Sequence, residues 1–119
     1  MMRQNPIHDK SMAFAVRIVY LYKYLTGEQK EYVLSKQLLR SGTSIGANVR
    51  ESVYAQSSAD FQSKMYIALK EANETAYWLE LLERTKYLTP SYAKSILDDC
   101  TEIIKILSSI TKTMKENHS

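Results

Sequence analysis

Apolar positions recur along the chain at alternating steps of three and four, the spacing of helices that each bury one stripe. The clearest run is Phe61, Met65, Ala68, Ala72, Thr75, Leu79 and Leu82. A second, Ala93, Ile96, Cys100, Ile103, Leu107, Ile110 and Met114, mirrors it further on. Seams of this kind pack nearly parallel to a partner, at about 20°. Leu34, Leu38, Ser41, Ile45, Asn48, Ser52 and Ala55 form a third seam, smaller and more polar. A partner backbone must come close there or hydrogen-bond to it. The first apolar segment differs. Phe14, Ile18, Leu21 and Leu25 make a core stripe, while Met12, Val16 and Val19 occupy the opposite side and Tyr20, Tyr22 and Tyr24 fill the flanks. A helix that is apolar all round is buried all round, so the second face predicts contact with another subunit. Met12, Val16, Val19 and Tyr20 are the candidate interface residues. The competing interpretation is a few exposed aliphatics of the kind any small protein carries.

Three glycines and two prolines punctuate 119 residues. Asp9 or Ser11 caps a first helix that ends where Thr26-Gly27 supplies a left-handed stop. A second helix begins near Glu28, with Ser35 available as a later N-cap, and runs to Gln56. Ser57-Ser58-Ala59-Asp60 has the form of a capping box. Thr89-Pro90 opens the last helix, because threonine caps well and proline at the first helical position gives up only an N–H that had no partner. Helices are thus expected over about 9–25, 28–56, 58–86 and 90–114, within a single domain spanning 1–119. Links of a few residues between long helices force neighbours to run antiparallel, which predicts an all-α, up-down-up-down four-helix bundle.

A chain of this length can bury roughly two thirds of its unfolded surface, so the core needs no staples. One cysteine, Cys100, excludes a disulfide scaffold. No stretch is apolar enough to cross a membrane, and residues 1–10 lack a hydrophobic leader, so a cytoplasmic protein with no membrane partner is expected. The formal charge of +3 is unevenly spread: residues 1–57 carry eight basic and four acidic side chains, residues 58–119 eight and nine. On the second helix Lys36, Arg40 and Arg50 fall within about 80° of one another, opposite the seam. Thr43, Ala47 and Tyr54 lie beside them. Small residues with cations and one aromatic suit a nucleic-acid backbone, and Lys36, Arg40, Arg50 and Tyr54 are the candidate contacts. Three cations on one helix are also the ordinary composition of a solvated face. A ring of identical subunits would multiply the stripe into a cationic rim.

Other patterns carry less. Gly42-Thr43-Ser44-Ile45-Gly46 matches a nucleophile elbow, but it lies inside a helical pattern and the only histidines, His8 and His118, sit near the two ends. Its glycines fit better as a point of close helix approach. Glu71, Glu74, Glu80 and Glu83 lack the Glu-x-x-His partners of a di-metal bundle. No metal, cofactor or catalytic residue is therefore expected. Cys100 lies on a seam, where a buried inert thiol is expected. Tyr77 and Trp78 are expected in core or interface packing.

Two stretches, Gln37-Leu-Leu-Arg-Ser-Gly-Thr-Ser-Ile-Gly-Ala-Asn-Val-Arg-Glu51 and Ala68-Leu-Lys-Glu-Ala-Asn-Glu-Thr-Ala-Tyr-Trp-Leu-Glu-Leu-Leu82, together with Asp60-Phe61, resemble the bacterial four-helix-bundle family named for proteins encoded in 23S rRNA intervening sequences. The chain departs from the family pattern at Gly46, where many relatives have proline, and at Ser52, where they have glycine. The resemblance implies a homopentameric ring without catalytic residues, similar to the accessory variability protein of diversity-generating retroelements, which engages nucleic acid and a reverse transcriptase. Arg40, Asn48, Arg50, Glu51, Lys70, Glu71 and Glu74 are the polar members of the matching stretches. Glu71 and Glu74 are candidates to pair with Arg40 or Arg50 across helices or subunits. The expected function is non-enzymatic: a homo-oligomer that binds RNA or DNA through the second helix. The alternative is an adaptor that docks a partner protein such as a reverse transcriptase.

Overall fold

The computed structural model describes residues 6–117. They form four helices: α1, Pro6–Gly27; α2, Leu34–Ser52; α3, Ser58–Arg84; and α4, Pro90–Asn117. Each helix packs on its neighbour in sequence and α4 returns to α1, giving a bundle 46 × 23 × 22 Å. The core is a single apolar column in which Phe14, Ile18, Leu38, Ile45, Leu79, Leu82, Ile96 and Leu107 are fully enclosed. The seams of α3 and α4 are those of the heptad-like runs.

Local chemistry explains most of the helix ends. Ser57 accepts a hydrogen bond from the Asp60 N–H, and the Asp60 carboxylate accepts one from the Gln56 N–H, a reciprocal cap that starts α3. The Thr89 hydroxyl accepts from the Tyr92 N–H, with Pro90 in the first helical position. Lys86 takes a left-handed conformation (φ 71°) after α3, and the Tyr87 and Lys86 N–H groups return to the carbonyls of Leu82 and Glu83. That is the Schellman pattern, built here on lysine instead of glycine.

Several expectations need correction. No glycine has positive φ, so Gly27 is not a left-handed stop of α1; the left-handed residue, Lys30 (φ 55°), lies three residues beyond the helix, in the loop to α2. Helix α2 starts at Leu34, not near Glu28, and ends at Ser52, not near Gln56. The reason lies in Glu31, which is 8% exposed and whose carboxylate accepts from the N–H groups of Val33, Leu34 and Ser35 at 3.2, 2.9 and 2.7 Å. A carboxylate just outside the first turn satisfies orphan donors and the positive helix end together, so residues 28–33 serve as a capping loop. At the other end α2 gives way to turns that bond Tyr54 N–H to Glu51 O and Ala55 N–H to Ser52 O. The α2 seam is also rotated slightly from the predicted one. Val49, Gly42 and Ser35 are buried, whereas Asn48 is half-buried and donates to Ser44 O at 2.9 Å. The helix runs unbroken through Gly46. Helices α1 and α4 extend beyond their predicted limits at Asp9 and Met114.

The small α2 seam lets neighbours approach. A Cβ on Gly42 would meet Ile18 side-chain carbons at 2.8 and 2.9 Å, and one on Gly46 would lie 3.4 Å from the Ser11 carbonyl oxygen. Gly42 is therefore required by a packed side chain. At Gly46 the α1 backbone itself comes near. Across the other side of α2 the hydroxyls of Ser41 and Thr75 are 3.0 Å apart, and among the described residues no buried side-chain polar atom lacks a partner.

Candidate functional site

The outer face of α2 carries the basic stripe, but its members have unequal surroundings. Arg40 is held by α3: its guanidinium bonds Glu71 at 3.2 Å and also Glu74, whose carboxylate accepts from Trp78 Nε1 at 2.9 Å. Trp78 in turn meets Tyr77 edge-on, with ring centroids 5.0 Å apart. One cation and two carboxylates thus close on an aromatic pair, which locks α2 to α3 and neutralises the middle of the stripe. Arg50 reaches neither Glu71 nor Glu74. Among the described residues neither Lys36 nor Arg50 forms an ion pair, and both are exposed. Glu51 pairs instead with Lys64 at 3.0 Å, which holds the Lys64 ammonium above its usual range through that hydrogen bond and charge. Tyr54, 79% exposed, stands in the turn after α2.

On α1 the second apolar face is open. Met12, Val16 and Val19 are exposed and lie within about 60° of one another, opposite the buried Phe14, Ile18 and Leu25. Tyr20 is more exposed still, and it also forms one wall of an aromatic cavity. The two candidate surfaces, far apart in the chain, meet in the fold. Met12 and Ala15 of α1 line a groove of about 470 Å³ together with Thr43, Ala47 and Arg50 of α2. Small and apolar residues line it together with the cation of Arg50. His8, Asp9 and Glu51 complete its rim.

Several polar groups that the sequence pattern did not single out turn out to organise the bundle. Arg17 of α1 bonds Asp99 of α4 at 2.7 Å and lies over the Tyr92 ring at 5.4 Å. Partial burial disfavours its charge, but Asp99 and Tyr92 outweigh that and hold the guanidinium pKa above its ordinary value. Lys10 pairs with Glu102 at 3.1 Å on the same seam. For Glu31, burial works against ionisation, yet the hydrogen bonds from Leu34, Ser35 and Val33 win and keep its carboxyl below the usual range. An acid three residues ahead of Leu34 is the only sequence signal for this cap. Cys100 is fully enclosed, its thiol donates to Ala72 O at 3.3 Å, and burial pushes its pKa up to about 12. A thiol in that setting is unreactive near neutral pH. Among the described residues no three His, Cys, Asp or Glu side chains gather as metal ligands would. Nor is any helix among them long and apolar enough to cross a membrane.

Comparison with known proteins places these features in a wider set. The family model described as 23S rRNA-intervening sequence protein matches residues 3–109. A crystal structure of a protein of unknown function from the S23 ribosomal protein family of Bacteroides thetaiotaomicron is similar, with 66% sequence identity and a TM-score of 0.88 over 89% of this chain and 98% of that one. No curated protein matches.

Proposed function

The chain belongs to the 23S rRNA-intervening sequence protein family, and on that premise we propose that it is a non-catalytic, self-associating scaffold, an antiparallel up-down-up-down bundle that assembles through α1 into a ring, with the pentamer as the expected form. Residue pairings support the alternating direction. Lys10 pairs with Glu102 and Arg17 with Asp99, while Arg40 pairs with Glu74 and Glu51 with Lys64, so that partners run in opposite senses along the chain. The observation that carries the assembly is the open face of Met12, Val16 and Val19, which stands opposite the core-facing side of the same helix. Contiguous apolar surface of this kind is normally covered in the working assembly. Light scattering tests it. Wild type is expected at a multiple of 13.7 kDa and Val16→Asp at 13.7 kDa with its helical content intact. An unchanged mass in the variant, or a monomeric wild type, overturns it.

A second role, electrostatic binding of RNA or DNA across α2, is favoured by the free charges of Lys36 at the start of α2 and Arg50 near its end, with Tyr54 in the turn just beyond. Arg40 drops out as a principal contact, since two carboxylates occupy it. Counterion release predicts a log-log salt slope of about −0.7 for each phosphate contacted on a single strand. Lys36→Ala with Arg50→Ala should reduce that slope in a nuclease-treated preparation. No binding even at low salt would instead leave the groove to a protein partner such as a reverse transcriptase.

A further inference from the structure

At one end of the bundle, away from the α2 face, four tyrosines from three parts of the chain come together. Tyr20 and Tyr24 of α1, Tyr87 of the α3–α4 turn and Tyr92 of α4 line a cavity of about 310 Å³. A second lobe, about 560 Å³, adjoins it and shares Tyr24 and Tyr87 as walls, and there Arg84 and Lys86 line the surface. Neither cation forms an ion pair among the described residues. Glu83 is the one carboxylate in that lobe. The N-terminus of α4 at Pro90 also opens there and adds its positive end.

The chemistry of the two lobes narrows the occupant. Aromatic walls select a flat, polarisable group. Cationic guests are disfavoured, because Arg17 and Lys23 already sit over the Tyr92 and Tyr20 rings, at 5.4 and 5.7 Å, and because Arg84 and Lys86 leave the neighbouring lobe positive. Tyr24 and Tyr87, the rings common to both lobes, stand between the apolar space and the cations. A π-faced group joined to an anion matches this layout. The geometry points to a binding site for a nucleotide unit of single-stranded RNA or DNA, with its base stacked against Tyr24 and Tyr87 and its phosphate held by Arg84 and Lys86. Stacking on aromatic side chains beside a cationic track is how single strands are commonly bound without regard to sequence.

The probe is a fluorescently labelled ten-nucleotide single-stranded RNA, followed by anisotropy at low salt, with the unlabelled strand, its duplex and AMP as competitors. Tyr24→Ala is expected to weaken binding about 5- to 150-fold, the range for loss of one stacked base. Lys86→Gly is expected to weaken it and to lower the log-log salt slope by about 0.7. Because Lys86 holds a left-handed backbone, glycine there preserves the fold, so lost binding cannot be put down to unfolding. Glu83→Gln should tighten binding. Competition by AMP that disappears in Tyr24→Ala would identify free nucleotide as the source of the ligand, and competition by the strand alone would identify single-stranded nucleic acid. Binding that is absent, equally well competed by duplex, or unchanged in Tyr24→Ala and Lys86→Gly overturns the site. Loss of binding in Lys36→Ala with Arg50→Ala alone would assign the contact to α2 instead.

Discussion

Glycines at 42 and 46 look alike in the sequence but meet different neighbours. A methyl group at Gly42 collides with the branched carbons of buried Ile18, which have no room to swing aside, so Gly42→Ala is expected to cost about 1–3 kcal/mol by overpacking. At Gly46 the added carbon reaches only ordinary contact distance. Gly46→Ala is expected to be neutral or to stabilise by up to about 1 kcal/mol through helix propensity. Thermal denaturation of the two variants separates the cases, and equal effects would refute the packing argument. Glu31 makes a pH prediction of definite sign. Its folded pKa is depressed, so the stability it contributes is present above the ordinary carboxylate range and is lost as pH falls through and below it. Glu31→Gln should cost about 1–2 kcal/mol at neutral pH, and the deficit against wild type should shrink in acid. A constant deficit at all pH values would remove the charge from the explanation.

At the level of whole elements, the links between helices carry a cost that can be relieved. Lys30 and Lys86 both sit in left-handed backbone, where a residue with a Cβ is disfavoured by about 1–2 kcal/mol and glycine is not. Lys30→Gly is expected to raise the melting temperature, with part of the gain offset by the greater freedom of glycine in the unfolded chain. A lower melting temperature would mean that the Lys30 side chain contributes contacts of its own. Helix α4 supplies a further check. Cys100 lies on its buried seam with a pKa of about 12, so a thiol reagent at neutral pH should label it only at the rate of bundle opening. Rapid labelling of the folded protein would show that α4 detaches readily.

For the whole molecule, the proposed self-association through α1 would link stability to concentration. If the native assembly buries Met12, Val16 and Val19, the melting temperature of wild type should rise with protein concentration, while that of Val16→Asp should not. A concentration-independent wild type would argue for a monomer that simply tolerates exposed aliphatics. The bundle itself was legible in the sequence because the seams of α3 and α4 repeat so regularly that one register alone buries them. Capping signals at Ser57 and Thr89 were legible for the same reason that they work: each acts within four residues. The start of α2 was not. Its cap is a glutamate outside the helix, a residue type that reads as ordinary surface until the loop folds back upon it.

Residue spacing by itself therefore determined that this chain makes four helices, which sides of them are apolar, and that α1 has one apolar side more than a bundle consumes. These follow from periodicity and from short-range hydrogen bonding, both of which operate within a few turns of chain. Only the tertiary structure decided which charges remain free. Lys36, Arg40 and Arg50 are equivalent on a helical wheel, and it is the position of Glu71 and Glu74 on the neighbouring helix that silences Arg40 and leaves the other two. In the same way Tyr24 and Tyr87, remote in sequence, come to line one cavity because helix packing brings their segments together. Electrostatic pairing and shared cavities depend on distances between segments remote in sequence, and those distances come into being only when the core closes.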